Sequence, residues 1–117
     1  MKELTKAEEQ IMHALWKIEK GFAKDIIAEI EGTQPAYNTT LTMLRILVEK
    51  IFVEIETYGK AFRQATILSK DEYSKFRLAN LKTKYFEGSS KSMLSFFIKE
   101  EKIDIKDLED IIKNFKK

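Results

Sequence analysis

A short polar run near the middle of the chain carries the side chains with the greatest capacity for specific hydrogen bonding. The run contains Asn38, Thr39, Thr40 and Thr42, and Arg45 follows at helical spacing. Asn, Thr and Arg side chains bond to the edges of DNA bases or to phosphate oxygens, and a Thr methyl group can contact a thymine methyl. The pattern therefore predicts a nucleic-acid contact surface. The alternative is the solvated polar face of an ordinary helix.

The residue types that serve as catalysts and metal ligands are scarce. The 117 residues include one His and no Cys, so His13 has no second histidine or thiolate with which to bind zinc. The four Gly are scattered singly, and the sequence therefore has no glycine-rich phosphate-binding loop. Asp and Glu occur mostly in the charge patterns of solvated helix faces. We predict that the protein is not an enzyme and needs no cofactor or metal.

Charge and hydropathy narrow the cellular context. The 21 Lys and Arg against 19 Asp and Glu give a net charge of +2, which excludes a polybasic, histone-like binder but allows a local basic patch. Apolar runs are far shorter than the roughly 18–20 residues that span a bilayer, and we find no signal peptide pattern. The absence of Cys is typical of a reducing compartment. We expect a cytoplasmic protein without membrane insertion.

Helix signals place the polar run on the third of three predicted helices. A capping box at Thr5–Glu8 begins the first helix, and Gly21 is interpreted as its end. A second helix is predicted over residues 23–30, and a Gly32–Pro35 break precedes the third, over residues 37–50. The apolar face predicted for the third helix contains Tyr37, Leu41, Leu44, Leu47, Val48 and Ile51.

Two strands are predicted directly after the third helix. Residues 52–57 alternate apolar and polar side chains, and a turn leads to a second strand over residues 61–68. Three helices followed by a hairpin form the element order of a winged helix-turn-helix. Lys60, Arg63 and Gln64 then lie at or beside the tip of the wing, where they can contact the phosphate backbone. Alternatively, they form part of a charged edge strand that discourages aggregation.

The C-terminal part of the chain is predicted to be helical and to carry surplus apolar surface. Helices are expected to begin at the Ser69–Glu72 capping box, at Ser89 or Ser90 after Gly88, and at Asp104. The chain is therefore mainly α with a small β-hairpin, and we divide it into a winged-helix domain (1–69) and a helical dimerisation region (70–117). The surplus apolar surface indicates a second copy as partner. The side chains assigned to this dimer contact are Tyr85, Leu94, Phe97, Leu108, Ile111, Ile112 and Phe115.

Four segments in order resemble the penicillinase-repressor family of transcriptional regulators. They are residues 4–16 (LTKAEEQIMHALW), 35–47 (PAYNTTLTMLRIL), 58–63 (YGKAFR) and 68–73 (LSKDEY). The resemblance implies a homodimeric winged-helix repressor that binds an inverted-repeat operator in double-stranded DNA. For a β-lactam-resistance type of operon, it also implies a membrane sensor-protease whose activation leads to cleavage of the repressor in its dimerisation region.

The resemblance also assigns individual residues. The family's recognition positions correspond to Thr39, Thr40 and Thr42, with Asn38 and Arg45 beside them. The helical phasing turns Thr40 partly inward, so its contact would be with a phosphate at the start of the helix. Two members of the family carry basic residues where this chain has Thr39 and Thr42.

The family's cleaved Asn–Phe bond corresponds here to Phe96–Phe97, so Phe96 stands where the family has Asn. The copper-responsive branch of the family has a Cys-rich metal site, and that branch is excluded because this chain has no Cys. The alternative function, from a different class, is a winged-helix protein-interaction module that binds no DNA. Loss of DNA affinity on replacing Lys60 or Arg63 would separate the two hypotheses.

Overall fold

The computed structural model describes residues 1–116, which form six α-helices and a three-stranded sheet. This mainly α architecture with a small hairpin confirms the predicted fold class and is consistent with a winged-helix DNA-binding domain. No helix within these residues is long and apolar enough to cross a bilayer. The elements are α1 (Lys6–Ile18), β1 (Lys20–Gly21), α2 (Ala23–Glu29), α3 (Tyr37–Glu49), β2 (Val53–Tyr58), β3 (Ala61–Thr66), α4 (Lys70–Phe86), α5 (Ser90–Glu101) and α6 (Ile105–Phe115).

The first helix begins with the predicted capping box. The Thr5 N–H donates to Glu8 Oε1 over 2.8 Å, and the Glu8 N–H donates to Thr5 Oγ1 over 3.2 Å. These two bonds satisfy backbone donors that have no partner inside the helix. Apolar residues at helical spacing then bury Ile11 and Leu15 completely against the other helices of the core.

Gly21 has a different role from the predicted helix end. The helix α1 stops at Ile18, and Glu19 takes a positive φ of 67° that leads the chain into β1. A Cβ atom on Gly21 would lie 2.6 Å from Ile18 Cδ1, so a larger residue would have to displace that side chain. Gly21 pairs with Gln64 of β3. The sequence did not predict β1, because two residues are too few to show an alternating pattern.

The three strands form an antiparallel sheet in the order β1-β3-β2. The register of the hairpin runs from Val53↔Thr66 to Tyr58↔Ala61. Gly59 takes a φ of 59° in the turn, a conformation that suits the twist of a tight hairpin. The hairpin strands lie within two residues of their predicted positions. Because β3 pairs with both β1 and β2, it is the central strand of the sheet.

The chain divides into two compact units, Met1–Arg77 and Leu78–Lys117. The first unit has an enclosed apolar core from α1, α2, α3 and the start of β2. The beginning of α4 belongs to it, because buried Tyr73 accepts a hydrogen bond from the Leu4 N–H over 2.8 Å. The division therefore lies within α4, later in the chain than the predicted boundary after residue 69.

The second unit consists of the rest of α4 together with α5 and α6. Ser89 and Asp104 cap α5 and α6, as predicted, and each accepts a backbone N–H over 3.0 Å. The rings of Phe86 and Phe96 pack with their centroids 5.5 Å apart. None of its described side chains is buried, so the helices are regular but enclose no core of their own.

Candidate nucleic-acid interface

The first half of α3 presents a polar surface. Asn38, Thr39, Thr42 and Arg45 are exposed, because the helical period places them opposite the buried Leu44. The Thr42 hydroxyl donates to Asn38 O over 3.1 Å, which leaves its oxygen lone pairs and its methyl group facing outward. These side chains can bond to base edges or phosphates, as the sequence predicts.

The N-terminus of α3 is open. Its N-cap residue, Ala36, has no side-chain acceptor, and no side-chain cap covers the first turn. The backbone N–H groups at the start of a helix, together with the helix dipole, favour a phosphate at this position. The residue that precedes Ala36 is Pro35, which itself has no N–H to offer.

Thr40 is not part of this surface. Its side chain is fully buried, and its hydroxyl donates to Ala36 O over 3.0 Å. The predicted contact of Thr40 with DNA is therefore wrong in this structure, because the side chain packs into the core between the helices. Its role is to fix the first turn of α3, which carries the exposed residues on either side of it.

Two residues of the predicted apolar face of α3 lie on the surface. Tyr37, the first residue of the helix, is 49% exposed. Ile51 is 67% exposed and has a φ of 65°, because α3 has already ended at Glu49 and the chain turns toward β2. Both assignments to the buried face were wrong. Tyr37 instead adds a hydroxyl group that can form hydrogen bonds beside Asn38. Its position in the first turn of α3 could have indicated that it is exposed.

The two cations of the hairpin differ in their surroundings. Lys60 is exposed in the turn. Arg63 lies within the sheet, where its Nη2 is 2.6 Å from Glu56 Oε2 and its guanidinium lies 4.3 Å from the ring centre of Tyr58. Glu56 also lies 3.4 Å from Lys20 Nζ of β1. Arg63 is therefore paired with a carboxylate of the hairpin. The Lys60 ammonium has no ion pair among residues 1–116, so it can bind a phosphate without breaking one.

The ion pair across the hairpin shifts the pKa of both of its partners. The hydrogen bond from Arg63 lowers the pKa of Glu56, and the same bond raises the pKa of Arg63. Each charge thus favours the ionised form of the other. A phosphate that recruited Arg63 would have to compete with this carboxylate.

A second ion pair fixes the orientation of α3. Lys50 Nζ lies 2.8 Å and 3.0 Å from the two carboxylate oxygens of Glu8, which is buried at the start of α1. Burial raises the pKa of Glu8, but hydrogen bonds from Lys50 and Thr5 outweigh it and hold the pKa below its ordinary value. The pair ties the C-terminal end of α3 to α1. It is a positioning contact that the sequence analysis did not find, because its partners are 42 residues apart.

His13 lies on the surface of α1, with Nε2 3.6 Å from Glu9 Oε1. Its neighbour in space is the ring of Trp16, whose centroid lies 5.4 Å away in an edge-to-face arrangement. Residues 1–116 contain no cluster of three or more His, Cys, Asp or Glu side chains that could hold a metal ion.

The residues predicted for the dimer contact lie on α4, α5 and α6 of the second unit. Phe97 is 52% exposed and Phe115 is 85% exposed, values unusual for large aromatic residues. A groove beside Phe97 is lined by Tyr85, Met93 and Phe96. The other predicted contact residues are exposed too, except for half-buried Leu108: they are Tyr85, Leu94, Ile111 and Ile112.

The penicillinase repressor family model matches residues 4–117, which is nearly the whole chain and includes both units. The chain belongs to the penicillinase repressor family. This membership confirms the resemblance carried by the four sequence segments. A search among curated proteins found no significant match.

Membership of this family makes the chain a transcriptional regulator of the repressor type. Family members are regulators and not enzymes, which agrees with the scarcity of catalytic residue types. The helical order and the hairpin of the first unit are consistent with a winged-helix DNA-binding domain.

Proposed function

We propose that the protein is a homodimeric transcriptional repressor that binds an inverted-repeat operator in double-stranded DNA. The observation that carries this proposal is the exposed polar face of α3 beside the open hairpin turn. Arg45 of α3 and Lys60 of the hairpin line the same cleft, so one stretch of DNA backbone can meet both. The setting we propose for this activity is the cytoplasm.

The contacts divide into recognition and anchoring. In this proposal Asn38, Thr39 and Thr42 face base edges in the major groove, where amide and hydroxyl groups discriminate between base pairs. Arg45 and Lys60 bind phosphates and supply the salt-dependent part of the affinity. Thr40 is left out because it is buried, and Arg63 because Glu56 already holds it.

Dimerisation through the second unit supplies the second half-site. The described residues of this unit leave large apolar side chains exposed, and a symmetric second copy is the commonest way to cover such a surface. Linking two DNA-binding units raises the affinity for two half-sites by about 10²–10⁴-fold over that of one unit. The two-fold symmetry of such a dimer requires an operator with inverted repeats.

Relief of repression by cleavage at Phe96–Phe97 is part of the same proposal, with a membrane sensor-protease as the partner and a β-lactam-resistance type of operon as the setting. The bond lies in the middle of α5, so a protease can reach it only after that helix unwinds. Because α5 has no buried side chain, its local unfolding costs little. Cleavage there would separate the apolar surface into two parts and weaken the dimer.

The test is a selection of bound duplexes from a random DNA pool with the full-length chain, followed by affinity measurements on the selected sequence. We expect inverted repeats and a loss of affinity of about 10-fold or more for Thr42→Val combined with Arg45→Ala. Lys91→Ala in α5 is the matched control and should leave the affinity unchanged. Failure to enrich any duplex, with the protein folded, would favour the protein-interaction module instead.

A further inference from the structure

A cleft of about 630 Å³ lies between α3 and the hairpin, with the beginning of α2 at one end. Its walls are largely apolar and aromatic, from Phe22, Leu41, Val48, Ile55 and Phe62. Both its volume and its lining are typical of sites that bind small molecules. The cleft belongs to the first unit alone and is distinct from the apolar surface of the second unit.

A buried carboxamide faces this cleft. Gln64 lies on the central strand β3 and is only 5% exposed, and its Oε1 accepts no hydrogen bond from any residue in 1–116. An enclosed acceptor without a donor is destabilising, so an apolar residue would be more stable at this position. Ile55, its partner across the hairpin, lines the same cleft. Oε1 is itself covered, so a rotation of the Gln64 side chain is needed to turn it into the cleft, where an N–H donated by a ligand would remove this cost.

The charged residues around the cleft are all basic. Lys24 of α2, Arg45 of α3 and Lys60 of the hairpin turn line it, and no acidic side chain does so among the described residues. Three cations from three different elements around an apolar floor complement a ligand that joins a negative charge to an apolar body. The surface does not complement a cation or a basic peptide.

We propose that this cleft binds a small organic anion with an apolar body and an N–H donor, and that the bound anion competes with DNA. The apolar body lies against Phe22 and Phe62, the N–H donates to Gln64 Oε1, and the negative charge meets Lys24 and its neighbouring cations. The competition rests on the proposed DNA-binding function, because Arg45 and Lys60 serve both the anion and the phosphate backbone. An effector of this kind would release DNA without cleavage of the chain.

The experiment is a titration of the isotope-labelled, DNA-free full-length protein, followed by amide resonances in two-dimensional NMR. The probes are N-acetyl-L-phenylalanine, N-acetyl-L-tryptophan and N-acetyl-L-leucine, each with a carboxylate, an N–H and an apolar body. We expect at least one probe to shift the side-chain amide resonances of Gln64 with a Kd of about 1 mM or tighter. If none of the three shifts them, or if the shifts map to the second unit, the proposal is overturned.

Matched probes and variants separate the parts of the proposal. The methyl ester of the best probe lacks the charge and should bind at least about 5-fold more weakly, as should the acid itself to Lys24→Gln. Gln64→Leu should weaken the N-acetyl acid by about 5-fold and change the binding of 3-phenylpropionate, which has no N–H, by less. Lys6→Gln on α1 is the control and should change neither affinity. Equal binding of ester and acid would overturn the assignment of an anion.

A final measurement distinguishes this inference from the proposed function. The best probe, when saturating, should raise the apparent Kd for the selected duplex, and Lys24→Gln should reduce that rise. Probe binding with an unchanged DNA affinity overturns the competition. DNA binding without any probe binding overturns the cleft assignment alone, whereas probe binding without any DNA binding supports the cleft and overturns the repressor.

Discussion

The two units of the chain use apolar residues in opposite ways. In Met1–Arg77, Ile11, Leu47 and Phe52 are essentially inaccessible and pack into one core. In Leu78–Lys117, the helices also carry many aromatic and aliphatic residues, yet none of those described is buried. A helical apolar stripe therefore predicts a contact surface, but it does not tell whether the contact is made within the chain or with another molecule.

The difference follows from what each segment has to pack against. The helix α1 lies against α2, α3 and the sheet, and each contributes apolar side chains to the same interior. The helix α6 has an apolar stripe that includes Ile111, Ile112 and Phe115, all exposed. The first unit encloses its own apolar core, whereas the second leaves its described apolar side chains exposed or half-buried.

The largest expected effect is the loss of stability when a cavity is made in the core of the first unit. Phe52→Ala should lower its free energy of unfolding by about 3–5 kcal/mol, because the ring is fully enclosed. Phe115→Ala, in the second unit, should change the same transition by no more than about 0.5 kcal/mol. Urea unfolding can be followed by the fluorescence of Trp16. This fluorescence reports on the first unit, because the Trp16 Nε1–H donates to Leu68 O of the same unit over 2.9 Å. Similar losses for both variants would contradict the division into two units.

The second prediction tests the partner of the exposed surface. Phe97→Asp, or truncation after Gly88, should give a folded monomer whose affinity for the selected duplex is about 10²-fold or more below that of the intact chain. Sedimentation velocity at micromolar concentration measures the mass, and Trp16 fluorescence checks that the first unit remains folded. Ser95→Asp, which adds the same single negative charge at an exposed polar position of α5, is the control. A monomeric intact chain would contradict dimerisation.

Local signals in the sequence were sufficient for most of the secondary structure. The capping residues Thr5, Ser89 and Asp104 begin their helices as predicted, because a cap acts within one turn of the chain. Contacts between distant residues could not be predicted in this way. The Glu8–Lys50 and Glu56–Arg63 pairs depend on how helices and strands are placed in space.

The candidate interface was predicted less completely than the fold. Helical periodicity correctly indicates that Asn38, Thr39, Thr42 and Arg45 share an exposed face. The same periodicity turns Thr40 only partly inward, whereas the structure buries its side chain completely and leaves it no contact with a phosphate. Gln64, expected beside the tip of the wing, is likewise buried, on the central strand of the sheet.

The third prediction concerns acid stability in the first unit. The pKa of Glu8 lies below its ordinary value, so its stabilising effect is complete above the unfolded pKa of about 4.3 and is lost as the pH falls through the lower, folded value. Glu8→Gln should lose about 1–3 kcal/mol at neutral pH and should lack this acid-dependent loss. Glu100→Gln, exposed in α5, is the control. Urea unfolding at several pH values measures both effects, and an unaltered pH profile in Glu8→Gln would contradict the assignment.

The smallest effect distinguishes the two cations of the hairpin. Lys60→Ala should reduce the slope of log affinity against log salt concentration by about one unit, because an exposed ammonium releases a counterion when it binds a phosphate. Arg63→Ala should change the slope much less, since Glu56 already neutralises that charge at 2.6 Å.

Glu56→Gln supplies the decisive comparison. It releases both Arg63 and Lys20 from their shared partner, so the slope should steepen in this variant and return part of the way toward its original value when Arg63→Ala is added. Affinity measurements on one selected duplex over a range of salt concentrations compare the unaltered protein with these four variants. Equal reductions for Lys60→Ala and Arg63→Ala would show that the DNA displaces Glu56, and the hairpin pair would then belong to the unbound protein alone.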